Sequence, residues 1–408
     1  MSIASDNWIC CQIGARENYA IPRALHQHRQ LANFITDAWV SPHSGLNLLP
    51  KNLLANLRER YHPDLEPASV TSFTNSLIQF ELSQKLQKTT GWEKVIARNQ
   101  WFQRKAIKVL KSISENLTHP PILFSYSYAA LELFKFAKQQ GWYTVLGQID
   151  PGIEEEKIVA QEYDKYPQYR GNWQPAPNQY WQSWQEECNI ADAIVVNSHW
   201  SRQLLEKTGI ESQKIHLIPL VYTPPETANQ FIRIYPESFS QERPLRVLFL
   251  GQVILRKGIV AVLDAVQFLE GYPVEFWIVG SQQIDIPPHL QNHPQMRWIG
   301  HVNRSETAQY YQMADIFLFP TLSDGFGLTQ LEAQAWKLPI ITSRCCGEVV
   351  KNGINGWILE EVKGEEIAHL TKNILENPDK LKSLINNSNS LLDSNNLNLF
   401  QSMQSCIR

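Results

Sequence analysis

The stretch Pro320–Trp357, PTLSDGFGLTQLEAQAWKLPIITSRCCGEVVKNGINGW, decides how the rest of the sequence is interpreted. It follows an apolar run, Ile316–Phe319, whose length and composition predict a buried strand. The next segment, Asp324–Gly327, predicts a turn, because its two glycines reach backbone conformations that other residues avoid. After the turn, apolar residues recur at helical spacing as far as Leu338. The stretch therefore predicts a strand, a glycine turn and a helix.

A helix that starts directly after a strand can hold an anion. Its first N–H groups lack helical acceptors, and the helix dipole favours negative charge at that end. Two carboxylates flank this place, Asp324 in the turn and Glu332 in the helix. An ordinary strand-to-helix connection with solvated acids explains the same residues, and the stretch alone does not decide between the two interpretations.

Length and composition indicate a folded protein with more than one domain. The chain has 408 residues, which exceeds the size at which a single core usually stops growing. Hydrophobic residues make up 43% of the chain and charged residues 19%, as in globular proteins. The formal net charge of -3, without a dense Lys/Arg run, gives no sign of nucleic-acid binding. A local basic pair can still bind a phosphorylated small molecule.

Cysteine usage and the chain start bear on cofactors and on location. The six cysteines form no C-x-x-C pair and show no Cys/His metal spacing, and the sequence has no Asp-x-Asp pair, so neither a metal nor a cofactor is expected. The first residues lack the basic start and apolar core of a signal peptide. No apolar run approaches the roughly 18–20 residues that span a bilayer. The sequence therefore predicts a cytoplasmic protein.

Strands and helices alternate along the first half of the chain, which predicts a parallel α/β domain rather than a sandwich. The expected strands are Trp8–Ile13, Phe34–Val40, Pro121–Ser125, Tyr143–Ile149, Ala193–Asn197 and Lys214–Val221, and the expected helices are Tyr19–Leu31, Phe73–Leu86 and Ala129–Lys138. Ligands of such sheets bind beyond the carboxyl ends of strands. The pocket candidates on this ground are Gly14, Arg16, Ser125, Tyr126 and Asp150. Each of them is also compatible with an ordinary loop.

Aromatic residues are unusually dense between Tyr163 and Trp184. Flat aromatic faces can stack on sugar rings, so a binding platform is one interpretation. Packing of buried helices is the other, because aromatic side chains mostly supply buried area.

A proline-rich stretch between Pro219 and Pro244 has no clear periodicity and is the best candidate for a linker. After it the strand–helix pattern restarts, with strands expected over Val247–Leu250, Val274–Val279, Trp298–Val302, Ile316–Phe319, Ile340–Thr342 and Trp357–Leu359. The predicted fold class is α/β, with two Rossmann-like domains that face each other across a cleft. The expected bounds are residues 1–221, residues 222–390 and a C-terminal segment, residues 391–408, that crosses back to the first domain or frays.

The loop Gly251–Gly258 follows the first strand of the second domain and carries the basic pair Arg256 and Lys257. If this pair and the turn after Phe319 reach one cleft, they can hold a diphosphate from two sides. The alternative is a solvated basic pair at the start of a helix, where the dipole disfavours cations. That misfit favours the functional interpretation.

At this point the chain resembles a glycosyltransferase of the GT-B fold, close to glycosyltransferase family 4. The resemblance rests on five segments in order: Ala191–Ser198, Gly251–Gly258 (the phosphate loop), Ala314–Pro320, Asp324–Ala333 (the E-x7-E signature) and Gly347–Gly356. It covers residues 186–360 well and residues 1–185 weakly. The order and spacing of these short segments make the set specific.

The resemblance implies retaining transfer from a nucleotide-sugar donor in the second domain to a glycan, lipid-linked or other acceptor in the first. Lys257 and Arg256 would neutralise the leaving diphosphate, Asp324 would bind the donor sugar and Glu332 the ribose. The remaining donor-binding positions that it implies are Gly251, Gln252, His301, Val302, Gly325, Phe326, Gly327, Leu328 and Thr329. Similar enzymes need no metal. Because many relatives use lipid-linked acceptors, peripheral contact with the inner membrane face stays open.

Three positions depart from the family pattern. Asp324 stands where glutamate is usual, Gln252 stands where arginine is frequent, and Ser125–Ser127 stands where many relatives carry a histidine. These departures keep open a nucleotide-sugar-binding protein that has lost catalysis. A nucleotide-sugar epimerase is a further alternative, against which the E-x7-E-like spacing argues.

Overall fold

The computed structural model describes residues 7–45, 57, 59–169, 171, 173–384 and 399–407, and these form two parallel sheets flanked by helices. The first sheet has the order β3-β2-β1-β4-β5-β6-β7 and the second β10-β9-β8-β11-β12-β13. The strands of the first sheet are β1 Trp8–Gln12, β2 Leu31–Thr36, β3 Val70–Ser72, β4 Ile122–Tyr126, β5 Tyr143–Gly147, β6 Ala193–Val196 and β7 Ile215–Leu217. Those of the second are β8 Leu245–Leu250, β9 Val274–Val279, β10 Met296–Gly300, β11 Ile316–Phe319, β12 Ile340–Thr342 and β13 Gly356–Ile358. The predicted fold class is confirmed.

Helices connect successive strands, as parallel pairing requires. In the first half they are α1 Ala20–Gln27, α2 Thr74–Leu86, α3 Gly91–Ser114, α4 Leu131–Gln139, α5 Ile153–Lys165, α6 Asn178–Ile190 and α7 His199–Lys207. In the second they are α8 Glu226–Gln230, α9 Ile259–Phe268, α10 Pro288–Gln291, α11 Thr307–Met313, α12 Leu328–Ala335, α13 Gly364–Glu376 and α14 Leu399–Ser405.

Both sheets reverse their strand order in the middle. The reversal lies between β1 and β4 in the first sheet and between β8 and β11 in the second. A crevice opens beyond the carboxyl ends of strands at such a point, because the two neighbouring connections leave on opposite faces. The loops after these four strands are therefore the positions where each domain can bind a ligand.

Several expected elements of the first domain were wrong in extent, and the strand expected over Lys214–Val221 covers only Ile215–Leu217. The expected helix to Leu31 ends at Gln27, because Arg29 adopts a left-handed φ of 58° and Gln30 N–H donates to the Leu25 carbonyl at 2.8 Å. Leu31 starts β2 instead, and the expected strand to Val40 ends at Thr36. Strand β3 was not predicted, because its three residues, Val70–Ser72, include only one apolar residue and form no apolar run.

The C-terminal segment contacts the first domain where the structure describes it. Helix α14 packs against α1, Met403 is fully buried in the first-domain core, and the Phe400 ring stacks on His28 with centroids 4.0 Å apart. The Tyr143 hydroxyl donates to the Cys406 carbonyl at 3.0 Å. The domain bounds stay a prediction, and residues 385–398 and 408 of the predicted segments lie outside the described residues.

Candidate functional site

The phosphate-loop candidate and the glycine turn meet at the strand-order reversal of the second sheet. The Arg256 carbonyl accepts hydrogen bonds from Leu322 N–H at 2.8 Å and from the Thr321 hydroxyl at 3.1 Å. Gly258 makes the contact possible: its φ is +71°, and a Cβ there would lie 1.8 Å from the Pro320 carbonyl oxygen. Two segments more than 60 residues apart in sequence thus form one rim.

The two basic side chains of this rim converge on Asp324. Lys257 Nζ donates to Asp324 Oδ2, and Arg256 Nη1 lies 3.6 Å from the same oxygen. Burial alone would raise the pKa of Asp324, but the charges of Lys257 and Arg256 hold it below its usual value. The basic pair of the loop Gly251–Gly258 and the acid of the glycine turn therefore lie together in one cluster, formed by Arg256, Lys257 and Asp324.

A carboxylate from the first domain joins the cluster, and sequence reasoning missed it. Glu155, on α5, accepts a hydrogen bond from the Ser323 hydroxyl at 2.8 Å and lies 3.5 Å from Arg256 Nη1. Burial raises the pKa of Glu155 to about 7, against the opposing charge of Arg256. No signal in the run Glu154–Glu156 distinguishes this residue, because its role depends on how the two domains pack.

The turn after Asp324 leads into the first turn of α12. Phe326 N–H donates to Asp324 Oδ1 at 3.3 Å, and Gly327 takes a left-handed φ of +85° before the helix begins at Leu328. The Phe326 ring is buried against Gly347, where a Cβ would lie 2.3 Å from the ring. The Phe326 side chain therefore contributes to packing. Leu328 and Thr329 lie in the first turn of α12, where backbone N–H groups have no carbonyl acceptor within the helix.

Glu332 lies one helical turn further on. Its Oε2 accepts a hydrogen bond from the Tyr311 hydroxyl at 2.9 Å. Burial raises the pKa of Glu332, while the Tyr311 hydroxyl and the charge of Arg304 act in the other direction.

His301 and Val302 lie between β10 and Arg304, with His301 exposed. Gly251 and Gln252 follow β8, and Gly251 N–H donates to the Val279 carbonyl at 2.9 Å.

The first-domain candidates occupy the other strand-order reversal, but three of them, Gly14, Ser125 and Tyr126, are interior. Ser125 and Tyr126 are buried at the end of β4, and Gly14 N–H donates to Asp37 Oδ1 at 2.9 Å. Arg16 is exposed, and its guanidinium lies 5.9 Å from the centre of the Tyr126 ring. Among these four, Arg16 is the side chain best placed to meet a ligand.

A cavity of about 930 Å³ lies between the domains beside Arg256. The second domain contributes Gln252 and Arg256 to its wall, and the first contributes Asp150, Glu155 and a group of aromatic side chains. Asp150 accepts hydrogen bonds from the Tyr128 hydroxyl and from Gly152 N–H, the latter at 2.9 Å. Gly14, Arg16, Ser125 and Tyr126 are not part of this wall.

Within the described ranges, no group of three or more His, Cys, Asp and Glu side chains is arranged to hold a metal ion. None of the described helices is both long and apolar enough to cross a membrane.

Solved structures with the same architecture define the class of the fold. Sucrose-phosphate synthase from Thermosynechococcus elongatus superimposes with a TM-score of 0.66 at 15% identity, covering 98% of this chain and 99% of that one. HepE from Anabaena, solved in complex with UDP, superimposes with a TM-score of 0.61 at 14% identity over 98% and 99% of the two chains. The chain has the GT-B fold of glycosyltransferases.

Comparisons of the sequence also find similar proteins for the second half of the chain. Residues 231–390 match the family model of glycosyl transferases group 1. The capsular polysaccharide biosynthesis glycosyltransferase CapM of Staphylococcus aureus is 30% identical over 147 residues, 34% of this chain and 38% of that protein. The alpha-monoglucosyldiacylglycerol synthase of Acholeplasma laidlawii is 29% identical over 35% of this chain and 37% of that protein. These matches span under half of each relative's length.

Proposed function

We propose that the chain transfers a sugar from a nucleotide-sugar donor to a glycan, glycolipid or other glycoconjugate acceptor, with retention of anomeric configuration. The observation that carries the proposal is the cluster of Arg256, Lys257 and Asp324, which lies at the strand-order reversal of the second sheet and faces the first domain through Glu155. The match of residues 231–390 to the family model of glycosyl transferases group 1 supports it.

The chemistry follows from charge. The departing nucleoside diphosphate gains negative charge as the glycosidic bond breaks, and cations fixed in advance lower the barrier to that step. Lys257 and Arg256 supply these cations, and the N–H groups of Leu328 and Thr329 at the start of α12 add donors to the phosphate oxygens. These groups neutralise the diphosphate without a metal in the proposed mechanism.

The two acids take different parts in this proposal. Asp324 holds Lys257 in place through Oδ2 and retains acceptor capacity for a hydroxyl of the donor sugar. Glu332, oriented by the Tyr311 hydroxyl, accepts from the ribose hydroxyls of the nucleotide. Because HepE was solved with UDP and with UDP-glucose, UDP sugars are the first donors to try.

The proposal is tested by measuring transfer and donor hydrolysis with UDP-glucose for the parent, Lys257→Ala and Glu332→Ala. We expect kcat/KM to fall at least about 100-fold in Lys257→Ala, since a transition-state cation is lost, and about tenfold in Glu332→Ala. Lys351→Ala is the matched control, because that lysine is exposed in the same domain. Undiminished turnover in both site variants would remove the assignment.

The same assay separates the alternatives. A nucleotide sugar that binds but is not turned over with any acceptor would indicate a binding protein, and an epimerised nucleotide sugar without acceptor would indicate an epimerase. The anomeric proton of the product reports retention. If UDP sugars give no turnover, thermal-shift measurements with UDP, GDP and ADP sugars identify the donor, because a ligand bound only by the folded state raises its stability.

A further inference from the structure

The wall of the interdomain cavity is unusually aromatic for a surface that is not core. Six of its lining side chains are aromatic: Trp92, Tyr128, Tyr163, Trp173, Tyr180 and Trp181. All except Tyr163 are partly exposed, whereas Trp184, the nearby aromatic of the same helix α6, is fully buried. Partly exposed rings around a cavity offer faces to a ligand, which buried packing rings do not.

Three of these rings, Trp92, Tyr128 and Trp181, form hydrogen bonds to the protein through their polar ends. Trp181 Nε1 donates to Glu156 Oε1 at 2.8 Å, and Trp92 Nε1 donates to the Gln174 carbonyl at 3.0 Å. The Tyr128 ring stacks on Tyr180, with centroids 4.9 Å apart and an interplanar angle of 15°. The rings are therefore held in place before a ligand arrives, which reduces the entropy lost on binding.

The charged residues of the wall are three acids, Asp150, Glu155 and Glu156, and a single base, Arg256. Carboxylates accept hydrogen bonds from hydroxyl groups but repel other anions. Arg256 is itself engaged by the carboxylate of Glu155 and by the Ser323 carbonyl at 2.8 Å. The cavity thus favours ligands rich in hydroxyl groups and without negative charge.

The cavity also connects to the reaction centre assigned above. Arg256 lines it and lies 3.6 Å from Asp324 Oδ2, the oxygen that Lys257 also contacts. Its volume of about 930 Å³ is near the upper end of the roughly 300–1,000 Å³ usual for ligand pockets. A chain of several sugar rings can therefore extend from Arg256 along the aromatic wall.

We propose that this cavity is the acceptor subsite and that it takes an uncharged oligosaccharide, with sugar rings on Tyr180 and Trp181, in preference to acidic or phosphorylated sugars. The inference rests on the proposed transferase function and specifies its acceptor class. It also gives the aromatic segment between Tyr163 and Trp184 a binding role beyond helix packing.

The test is equilibrium binding of neutral tetrasaccharides of glucose, galactose and mannose, with tetragalacturonate as the charged probe, measured by calorimetry with and without UDP. We expect at least one neutral tetrasaccharide to bind and tetragalacturonate to bind at least about tenfold more weakly. Binding should weaken about tenfold in Tyr180→Leu and in Trp181→Leu, because each loses one stacking face. Trp181→Phe should retain it, because it keeps an aromatic face.

Tyr272→Leu is the control, since Tyr272 is an exposed aromatic of the second domain away from this wall. Unfolding midpoints of the variants show whether each is folded. The proposal is overturned if no neutral tetrasaccharide binds, if tetragalacturonate binds as tightly, or if the Tyr180 and Trp181 variants bind like the parent. UDP affinity separates the two levels: if one of these results is found while the parent still binds UDP, the cavity proposal alone fails, whereas absence of UDP binding in the parent removes the proposed function as well.

Discussion

At the scale of single residues, Arg256 is shared by two carboxylates, one from each domain. Asp324 lies 3.6 Å and Glu155 lies 3.5 Å from the same guanidinium nitrogen. The pKa of Asp324 is lowered, because Lys257 adds a second positive charge beside it. The pKa of Glu155 is raised, because its second partner is the uncharged Ser323 hydroxyl, which does not offset the effect of burial. Glu155 therefore carries the larger cost of being ionised, and its state depends on pH near neutrality.

The raised pKa of Glu155 predicts a pH dependence of stability. Its pKa is about 7 in the folded state against an ordinary value of 4.5, so the folded state holds the extra proton between these values. Unfolding free energy should then fall as pH rises from about 4.5 to 7. In Glu155→Gln the fall between pH 5 and pH 7.5 should be smaller by on the order of 1 kcal/mol.

Urea unfolding at the two pH values measures this difference. Glu154→Gln, on the same helix, is the control and should keep the slope of the parent. An identical slope in Glu155→Gln would show that this residue does not titrate in that range. Glu17 and Glu187, whose pKa values burial also raises to about 7, contribute to the slope that remains.

At the scale of elements, two aspartates that belong to the segments of the family resemblance form hydrogen bonds that connect neighbouring parts of the chain. Asp315 of the segment Ala314–Pro320 receives two bonds of 2.7 Å from the Arg243 guanidinium. Asp192 has the corresponding position in the first domain, and its carboxylate accepts a hydrogen bond from Thr144 N–H at 2.8 Å. Each aspartate precedes a strand and ties it to a neighbouring segment. These two positions of the resemblance therefore have structural roles.

Glu187 has such a role at the start of α4. Its carboxylate accepts from the N–H groups of Tyr128, Ala130 and Leu131 at 2.7, 2.9 and 3.0 Å, which otherwise lack helical partners. Glu187→Ala should lower the unfolding free energy by about 3 kcal/mol, because buried donors lose a charged acceptor. Glu186→Ala, whose carboxylate is half exposed, should change it by less than about 0.5 kcal/mol. Equal unfolding free energies of the two variants would contradict this assignment.

Sequence patterns located elements well where burial dictated the residues. Val274–Val279, Ile316–Phe319 and Ile340–Thr342 were predicted with the bounds that the structure shows, because continuous apolar runs between polar turns leave few alternatives. The predicted end of the first helix at Leu31 was wrong, because an isolated apolar residue is compatible with either a helix or a strand. Glu155 could not be found, since contacts between domains leave no periodic signal in either segment.

At the scale of the whole molecule, the site is completed by contact between the domains. Gly325 permits a close approach of the two domains, since a Cβ there would lie 2.1 Å from the Ile149 carbonyl oxygen. Beside it, Trp200 Nε1 donates to the Ser323 hydroxyl at 3.0 Å, and His199 N–H donates to Glu348 Oε1 at 3.0 Å. The N-terminal end of α7 and the loop before α5 therefore contact the segment Ser323–Glu348, which contains the glycine turn.

Gly325→Ala should force the domains apart. The added methyl group cannot fit against the Ile149 carbonyl, so we expect a larger radius of gyration by small-angle scattering and turnover reduced at least about tenfold. UDP affinity should stay within about threefold, because the second domain carries most of that site. Gly45→Ala, where a Cβ meets nothing within 4 Å, is the control. Unchanged scattering and turnover would contradict the closed arrangement.

The most direct test of the central claim is calorimetric titration of UDP into the parent, Lys257→Ala and Lys351→Ala. The claim is that the cluster at the strand-order reversal of the second sheet binds the diphosphate of a nucleotide sugar. It predicts that the parent and Lys351→Ala bind UDP alike and that Lys257→Ala binds at least about tenfold more weakly, because a partly buried cation is lost. Equal affinity of Lys257→Ala and the parent would contradict it.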